Sequence, residues 1–140
     1  MIGLPGSGKS AYLKSLGVDA LSSDAIRQML ADDVTDQSIH PRVFATIRYL
    51  LRQRLAIGRP VTYVDATHLT PAERAPYKRI AEAYNCELEA LYLDQPVEVC
   101  LTRNRKRERQ VPDEVVRALA EKMVPPSEAE GFHRVTVLTG

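Results

Sequence analysis

The sequence is poor in several things. It has no tryptophan, two phenylalanines and two cysteines among 140 residues, and its net charge is only +1. No apolar run approaches the roughly 18–20 residues of a membrane span, and no signal peptide opens it. Cys86 and Cys100 stand apart, without a CxxC spacing or a histidine at ligand spacing, which excludes a disulfide framework and a zinc site. Each lies in or beside an apolar segment and is expected to be a core thiol in a reducing cytosol, so the expected location is cytoplasmic, away from any membrane. The near-zero net charge names no partner. There is also no internal repeat and no low-complexity linker, so one domain over residues 1–140 is expected. With 44% hydrophobic and 26% charged residues, such a chain buries roughly two-thirds of its unfolded surface and needs no metal or disulfide to fold.

What is present is alternation. Short β-type runs at Ala20–Ser22, Val61–Val64, Leu88–Leu93 and Val135–Leu138 are separated by helical patterns, the signature of a parallel α/β sheet with helices on both faces. Helices are expected at Ser10–Leu16, Ala25–Leu30, Arg42–Ile57, Pro96–Arg107 and Pro112–Met123. The third of these carries Val43, Ile47, Leu50, Leu51 and Leu55 on one face. Thr70 and Glu73 form a capping-box pattern around Pro71, and Pro76 is expected to kink that helix or confine it to its first turn.

Gly3-Leu4-Pro5-Gly6-Ser7-Gly8-Lys9-Ser10 matches G-x-x-x-x-G-K-[ST] in full. Glycines admit positive φ, so successive N–H groups can converge on phosphate oxygens, and the following helix directs its positive end at the same anion. Gly3, Gly6, Ser7 and Gly8 therefore form a candidate phosphate cradle, Lys9 supplies a charge to the β- and γ-phosphates, and Ser10 is placed to bind Mg²⁺. By chance the four fixed positions occur in roughly half a per cent of chains this long, so a nucleotide triphosphate is the expected ligand. Such a loop needs a strand directly before it, yet only Met1 and Ile2 precede Gly3. The strand is largely missing, and the expectation is that the natural chain starts further upstream or that a shorter strand or a partner's segment fills the slot.

Three further positions carry candidate chemistry. Asp24 and Arg27 follow the run Ala20–Ser22, at the carboxyl end where ligands bind in open α/β sheets. Asp24 can accept a hydroxyl proton, and Arg27, one helical turn on, can hold an anionic acceptor. The competing reading is an N-cap and a solvated arginine. Asp65 closes the run Val61–Val64 and can orient water on Mg²⁺, against a cap or turn role. His68 reads as a surface-loop residue with substrate contact as the alternative. Residues 103–109 pack five basic side chains into seven positions. A solvated face is the ordinary reading, but Val97, Cys100 and Leu101 anchor its start, which suits a helical lid over about residues 98–122. Arg103 and Arg107, four apart, would share a face and close over the triphosphate.

Taken together, GLPGSGKS at 3–10, SDAIR at 23–27, VDATHLTP at 64–71, VCLTRNRKRERQVPDEVV at 99–116 and EGFHRV at 130–135 resemble the P-loop polynucleotide 5′-kinases of phage and bacteria across nearly the whole chain. The resemblance implies transfer of the ATP γ-phosphate, with Mg²⁺, to the 5′-hydroxyl of DNA or RNA, a reaction of nucleic acid repair. It implies catalytic roles for Lys9, Asp24 as base and Arg107 as lid arginine. It also implies acceptor-phosphate binding by Arg27 and Asp65 near the metal. His68 departs from it, standing where an asparagine is usual. Such kinases often sit beside phosphatase or ligase activities in longer chains or partners, although neither motif is visible here. Neither an aromatic clamp for adenine nor the oligomeric state is legible. Two other readings stay open: a P-loop kinase of a small-molecule hydroxyl, and an ATP-dependent switch that phosphorylates nothing. The basic run favours a polyanionic acceptor over the first, and Asp24 argues against the second.

Overall fold

A computed structural model describes residues 1–108 and 110–139. In chain order the elements are α1 (Lys9–Ser15), β1 (Ala20–Ser22), α2 (Ser23–Ala31), α3 (His40–Ala56), β2 (Tyr63–Asp65), α4 (Pro71–Ala83), β3 (Glu89–Leu93), α5 (Val97–Arg105), α6 (Asp113–Lys122), a 3-10 turn at Glu128–Glu130 and β4 (Arg134–Leu138). This is a mixed α/β, P-loop kinase-like chain in which every described strand pairing is parallel. No helix among the described residues is long and apolar enough to cross a membrane. The chain divides into two compact units: Met1–Tyr12 with Thr67–Gly140, and Leu13–Ala66.

In the first unit β3 and β4 run in register from Glu89↔Arg134 to Leu93↔Leu138. Ile2 takes the other edge of β3: its N–H donates to the Leu91 carbonyl at 2.9 Å and its carbonyl accepts from Leu93 N–H at 2.9 Å. Ile2, directly before the phosphate loop, thus pairs with the edge of β3 and is buried. The core gathers Leu4, Leu69, Cys100, Leu101 and Val116, with Val97, Val111, Leu119, Ala120 and Met123 against it. Burying each large aliphatic side chain contributes about 1.5–3 kcal/mol, so the roots of α5 and α6 are firmly held.

Helix α4 runs unbroken through Pro76 to Ala83, so the expected confinement to a first turn is not observed. Pro76 is the sixth residue of the helix, so its missing N–H costs one intrahelical bond, and the helix continues beyond it with Tyr77, Ile80 and Ala81 buried. The capping pattern is realised in shifted form. Thr70 Oγ1 accepts from Glu73 N–H at 3.3 Å, but the Glu73 carboxylate accepts from Leu69 N–H at 3.0 Å. Cys86 is exposed, contrary to its expected core position, because the chain leaves α4 through left-handed Asn85. Cys100 is buried, and burial pushes its thiol pKa up.

In the second unit β1 pairs with β2 through Ala20↔Tyr63, Leu21↔Val64 and Ser22↔Asp65. The second strand begins at Tyr63, two residues later than its apolar run, and Val61 is exposed. Val43, Ile47 and Leu51, each four apart, are the buried stripe of α3; Leu50 and Leu55 flank it half-buried. Helix α2 is capped by Ser22, whose hydroxyl accepts from Ala25 N–H at 3.3 Å. The cap is therefore not Asp24, which lies in the helix's first turn.

Candidate functional site

The loop Gly3–Ser10 has the backbone its motif predicts. Gly6 and Gly8 adopt φ of +83° and +101°, and Ser7 N–H closes a turn onto the Leu4 carbonyl at 3.0 Å. The loop rests against α5. A β-carbon on Gly6 would lie 2.3 Å from the Cys100 carbonyl oxygen, so only glycine fits there. A β-carbon on Gly3 would come within 2.5 Å of Ser7 Oγ.

Within the loop, Lys9 Nζ donates to the carbonyls of Gly3 at 2.9 Å and Leu4 at 3.0 Å. From α5, Arg103 Nη1 donates to the Ser7 carbonyl at 3.2 Å. Two cations therefore converge on the loop. Ser7 Oγ is buried without a hydrogen-bond partner among the described residues, an orphan polar atom of the kind a bound anion satisfies. These features fit a polyphosphate. Among the described residues no three carboxylate, imidazole or thiol groups cluster to cage a metal. Mg²⁺ held by nucleotide phosphates needs no such cage, because phosphate oxygens and water fill most of its octahedron.

The basic run does not form the continuous face expected of it. Helix α5 ends at Arg105 with Lys106 as its cap, so Arg107 lies beyond the helix and does not share a helical face with Arg103. Arg109 lies outside the described residues. The reason is Asn104, fully buried, whose Nδ2 donates to the Val111 carbonyl and whose Oδ1 accepts from Val111 N–H at 3.0 Å. This two-bond clasp turns the chain out of the helix and back toward α6. Arg105 pairs with Asp113, which holds that carboxyl below its ordinary pKa through the hydrogen bond between them. Gln110 Nε2 donates to the Arg105 carbonyl at 2.7 Å. Arg107 is exposed in this braced loop.

His68 is buried, contrary to the surface-loop reading. Its Nδ1–H donates to the Met1 carbonyl at 2.7 Å and its Nε2 accepts from Tyr77 Oη–H at 3.0 Å. Burial above all, then the charge of the α-amino group, pushes the imidazole down to about 3. Its φ of +49° is left-handed, a conformation that asparagine also tolerates. The His68 carbonyl accepts from buried Arg74 at 2.8 Å, and Arg74 meets both oxygens of Glu130 at 2.9 and 3.0 Å. His68 thus staples Met1, two residues before the phosphate loop, to α4.

In the second unit, the β1–β2 register puts Asp65 beside Ser22, two residues before Asp24. The Asp24 side chain is about half exposed and lies 3.8 Å from Arg27. Arg27 is only 5% exposed. Its Nη2 donates to His40 Nδ1 at 3.2 Å, which places the proton of neutral His40 on Nε2. Arg27 Nε has no hydrogen-bond partner among the described residues. A buried guanidinium is costly unless its donors are met, so this unmet donor is an unusual feature.

A protein-family profile described as an AAA domain matches residues 1–126. The chain belongs to that family. The chain is similar to L-seryl-tRNA(Sec) kinase of Methanococcus maripaludis, 27% identical over 135 residues, covering 90% of this chain and 52% of the relative. It is also similar to the mouse (Mus musculus) L-seryl-tRNA(Sec) kinase, 29% identical over 93 residues, covering 66% of this chain and 26% of the relative. The chain thus spans about half of one relative and a quarter of the other.

Two residues of this AAA-family chain were not singled out from sequence: Asn104 and His40. Asn104 had a signal, since it continues the apolar stripe of Cys100 and Leu101 and is polar where that face is buried. His40 had none, because its partner lies 13 residues away across a loop.

Proposed function

We propose that this chain is the catalytic part of an ATP-dependent kinase that phosphorylates a hydroxyl carried by a nucleic acid, in its sharpest form the 5′-hydroxyl of DNA or RNA. The observation that carries this reading is Arg27, a buried guanidinium with an unmet donor one helical turn from the Asp24 carboxylate. An acceptor with a phosphate near its hydroxyl suits such a pair; a neutral alcohol has no need of the cation.

In this reading residues 1–140 act as one kinase domain with residues 98–122 as lid. The loop amides, Lys9 and Ser10 hold the triphosphate and its Mg²⁺, which neutralises charge on the transferring group. Asp65 orients water on the metal. Asp24 accepts the hydroxyl proton as the oxygen attacks, Arg27 holds the acceptor's phosphate, and Arg103 and Arg107 stabilise charge on the γ-phosphoryl. Lys9 and Arg103 now donate to loop carbonyls, and exchanging these for phosphate oxygens strengthens each bond.

A second reading follows from the names of the relatives: the acceptor is the hydroxyl of a seryl group on tRNA. Label transfer from γ-labelled ATP with Mg²⁺ to 5′-hydroxyl oligonucleotides, seryl-tRNA and nucleosides, run in parallel, separates the two. Label on oligonucleotides supports the first, label on seryl-tRNA alone supports the second, and label on nucleosides alone overturns both. Asp24→Asn is expected to lower transfer by roughly 10²–10⁴-fold with ATP affinity retained. Unchanged transfer would remove Asp24 from the mechanism.

A further inference from the structure

Charge of one sign is concentrated on α3. Between residues 37 and 64 the chain has five arginines and no aspartate or glutamate, although overall 19 basic residues are balanced by 18 acidic ones. Arg54 is engaged structurally, donating to Thr62 Oγ1 at 2.9 Å and the Val61 carbonyl at 2.8 Å. The others are placed differently. With Val43, Ile47 and Leu51 facing inward, Arg42, Tyr49 and Arg52 form the opposite, exposed stripe, Arg48 lies at its half-buried flank, and exposed Arg59 follows the helix. Tyr49 is 59% exposed in the middle of them.

A solvated helix face usually alternates signs, because Glu–Lys or Asp–Arg pairs three or four apart stabilise it and like charges at that spacing repel. Here Arg48 and Arg52 are four apart with no acid on the helix to relieve them. An arrangement that works against the isolated helix, with a large aromatic ring left in water at its centre, matches the two needs of single-strand binding: cations for phosphates and a ring for base stacking. The stripe also has an origin. Helix α3 begins at His40, which holds Arg27, and from Arg42 to Arg52 it extends about 15 Å, the span of about four phosphates of one strand.

We propose that the exposed face of α3, with Arg42, Arg48, Arg52 and Arg59 on phosphates and Tyr49 on a base, is the docking surface for the nucleic-acid strand that carries the acceptor hydroxyl. This rests on the nucleic-acid acceptor reading and extends it from the reacting end to the body of the strand.

The test measures binding separately from transfer. A single-stranded 5′-hydroxyl oligonucleotide labelled at its 3′ end is titrated by fluorescence anisotropy across a salt series. The proteins are the parent, the triple variant Arg42→Gln/Arg52→Gln/Arg59→Gln, Tyr49→Ala and, as a control for bulk charge, Arg79→Gln on α4. The triple variant is expected to flatten the slope of log K against log salt by about 2, at roughly 0.7 per lost phosphate contact. Tyr49→Ala should weaken binding roughly tenfold without changing the slope, and Arg79→Gln should do neither. In transfer assays the triple variant raises KM for the oligonucleotide and leaves kcat/KM for a nucleoside 3′-phosphate unchanged. All five sites are exposed, and matched melting temperatures verify folding. If the parent binds and phosphorylates the oligonucleotide and the triple variant matches it, the surface is refuted while the function stands. If binding depends on α3 but label reaches no nucleic acid, the surface stands and the function fails. A parent that binds no nucleic acid overturns both.

Discussion

Replacing Gly6 with alanine tests whether the phosphate loop owes its shape to its seat on α5. The new β-carbon would sit 2.3 Å from the Cys100 carbonyl oxygen and 3.1 Å from its carbon. Ordinary carbon–oxygen contacts are about 3.3 Å or more, so loop and helix must part by roughly 1 Å. Left-handed backbone at φ +83° adds about 1–2 kcal/mol for a residue with a β-carbon, and forcing apart a packed core adds about 1–3 kcal/mol. The expected loss is about 2–5 kcal/mol. Gly131→Ala is the comparator in the same unit. Its φ is +102°, but its β-carbon would meet only the side chain of Lys78, which is half exposed and can swing away. That variant should cost the backbone strain alone, about 1–2 kcal/mol. Urea denaturation midpoints at unchanged m-values give the two losses. Titration with ATP should show Gly6→Ala weakened by roughly tenfold or more, equivalent to one lost charge-assisted hydrogen bond, and Gly131→Ala unaffected. Equal stability losses and equal ATP affinities in the two variants would refute the claim that α5 supports the loop.

Further outcomes follow from the buried polar groups. The folded pKa of His68 near 3 lies below its ordinary 6.5, so the unfolded chain takes up the proton first and stability falls as pH drops from 6.5 toward 3. Between pH 7 and pH 5 this amounts to about 2 kcal/mol, and His68→Asn should remove that share of the pH dependence in denaturation midpoints. Arg74→Ala leaves Glu130 without its paired cation and should cost about 3–5 kcal/mol, read as the change in urea midpoint. Asn104→Ala strands the N–H and carbonyl of Val111, costing about 2–3 kcal/mol, and should make the loop after α5 the first site of limited trypsin cleavage; unchanged cleavage there would count against the clasp.

The elements that were legible in the sequence depend on neighbours in the chain. The phosphate loop is eight consecutive residues whose types answer to local backbone needs, and it appears where the motif put it. The strand at Ala20–Ser22 and the inward stripe of α3 were legible for the same reason, since side-chain period follows directly from backbone geometry. Local pattern misleads where distant partners decide. His68 is taken into the interior by the Met1 carbonyl, 67 residues away. The separation of Arg107 from Arg103 has a shorter cause of the same type: Asn104 satisfies a backbone segment seven residues on and ends a helix that local propensity would have continued.

By itself, then, the sequence determined the anion-binding loop, the alternation of parallel strands and helices, and the presence of an acid and a cation one helical turn apart at Asp24 and Arg27. Only the tertiary structure decided that Arg27 is buried with a donor unmet among the described residues, that His68 is a neutral staple, and that Arg107 lies beyond the end of α5. Burial and hydrogen-bond satisfaction are properties of what surrounds a residue, and those surroundings are assembled from parts of the chain that no local pattern connects.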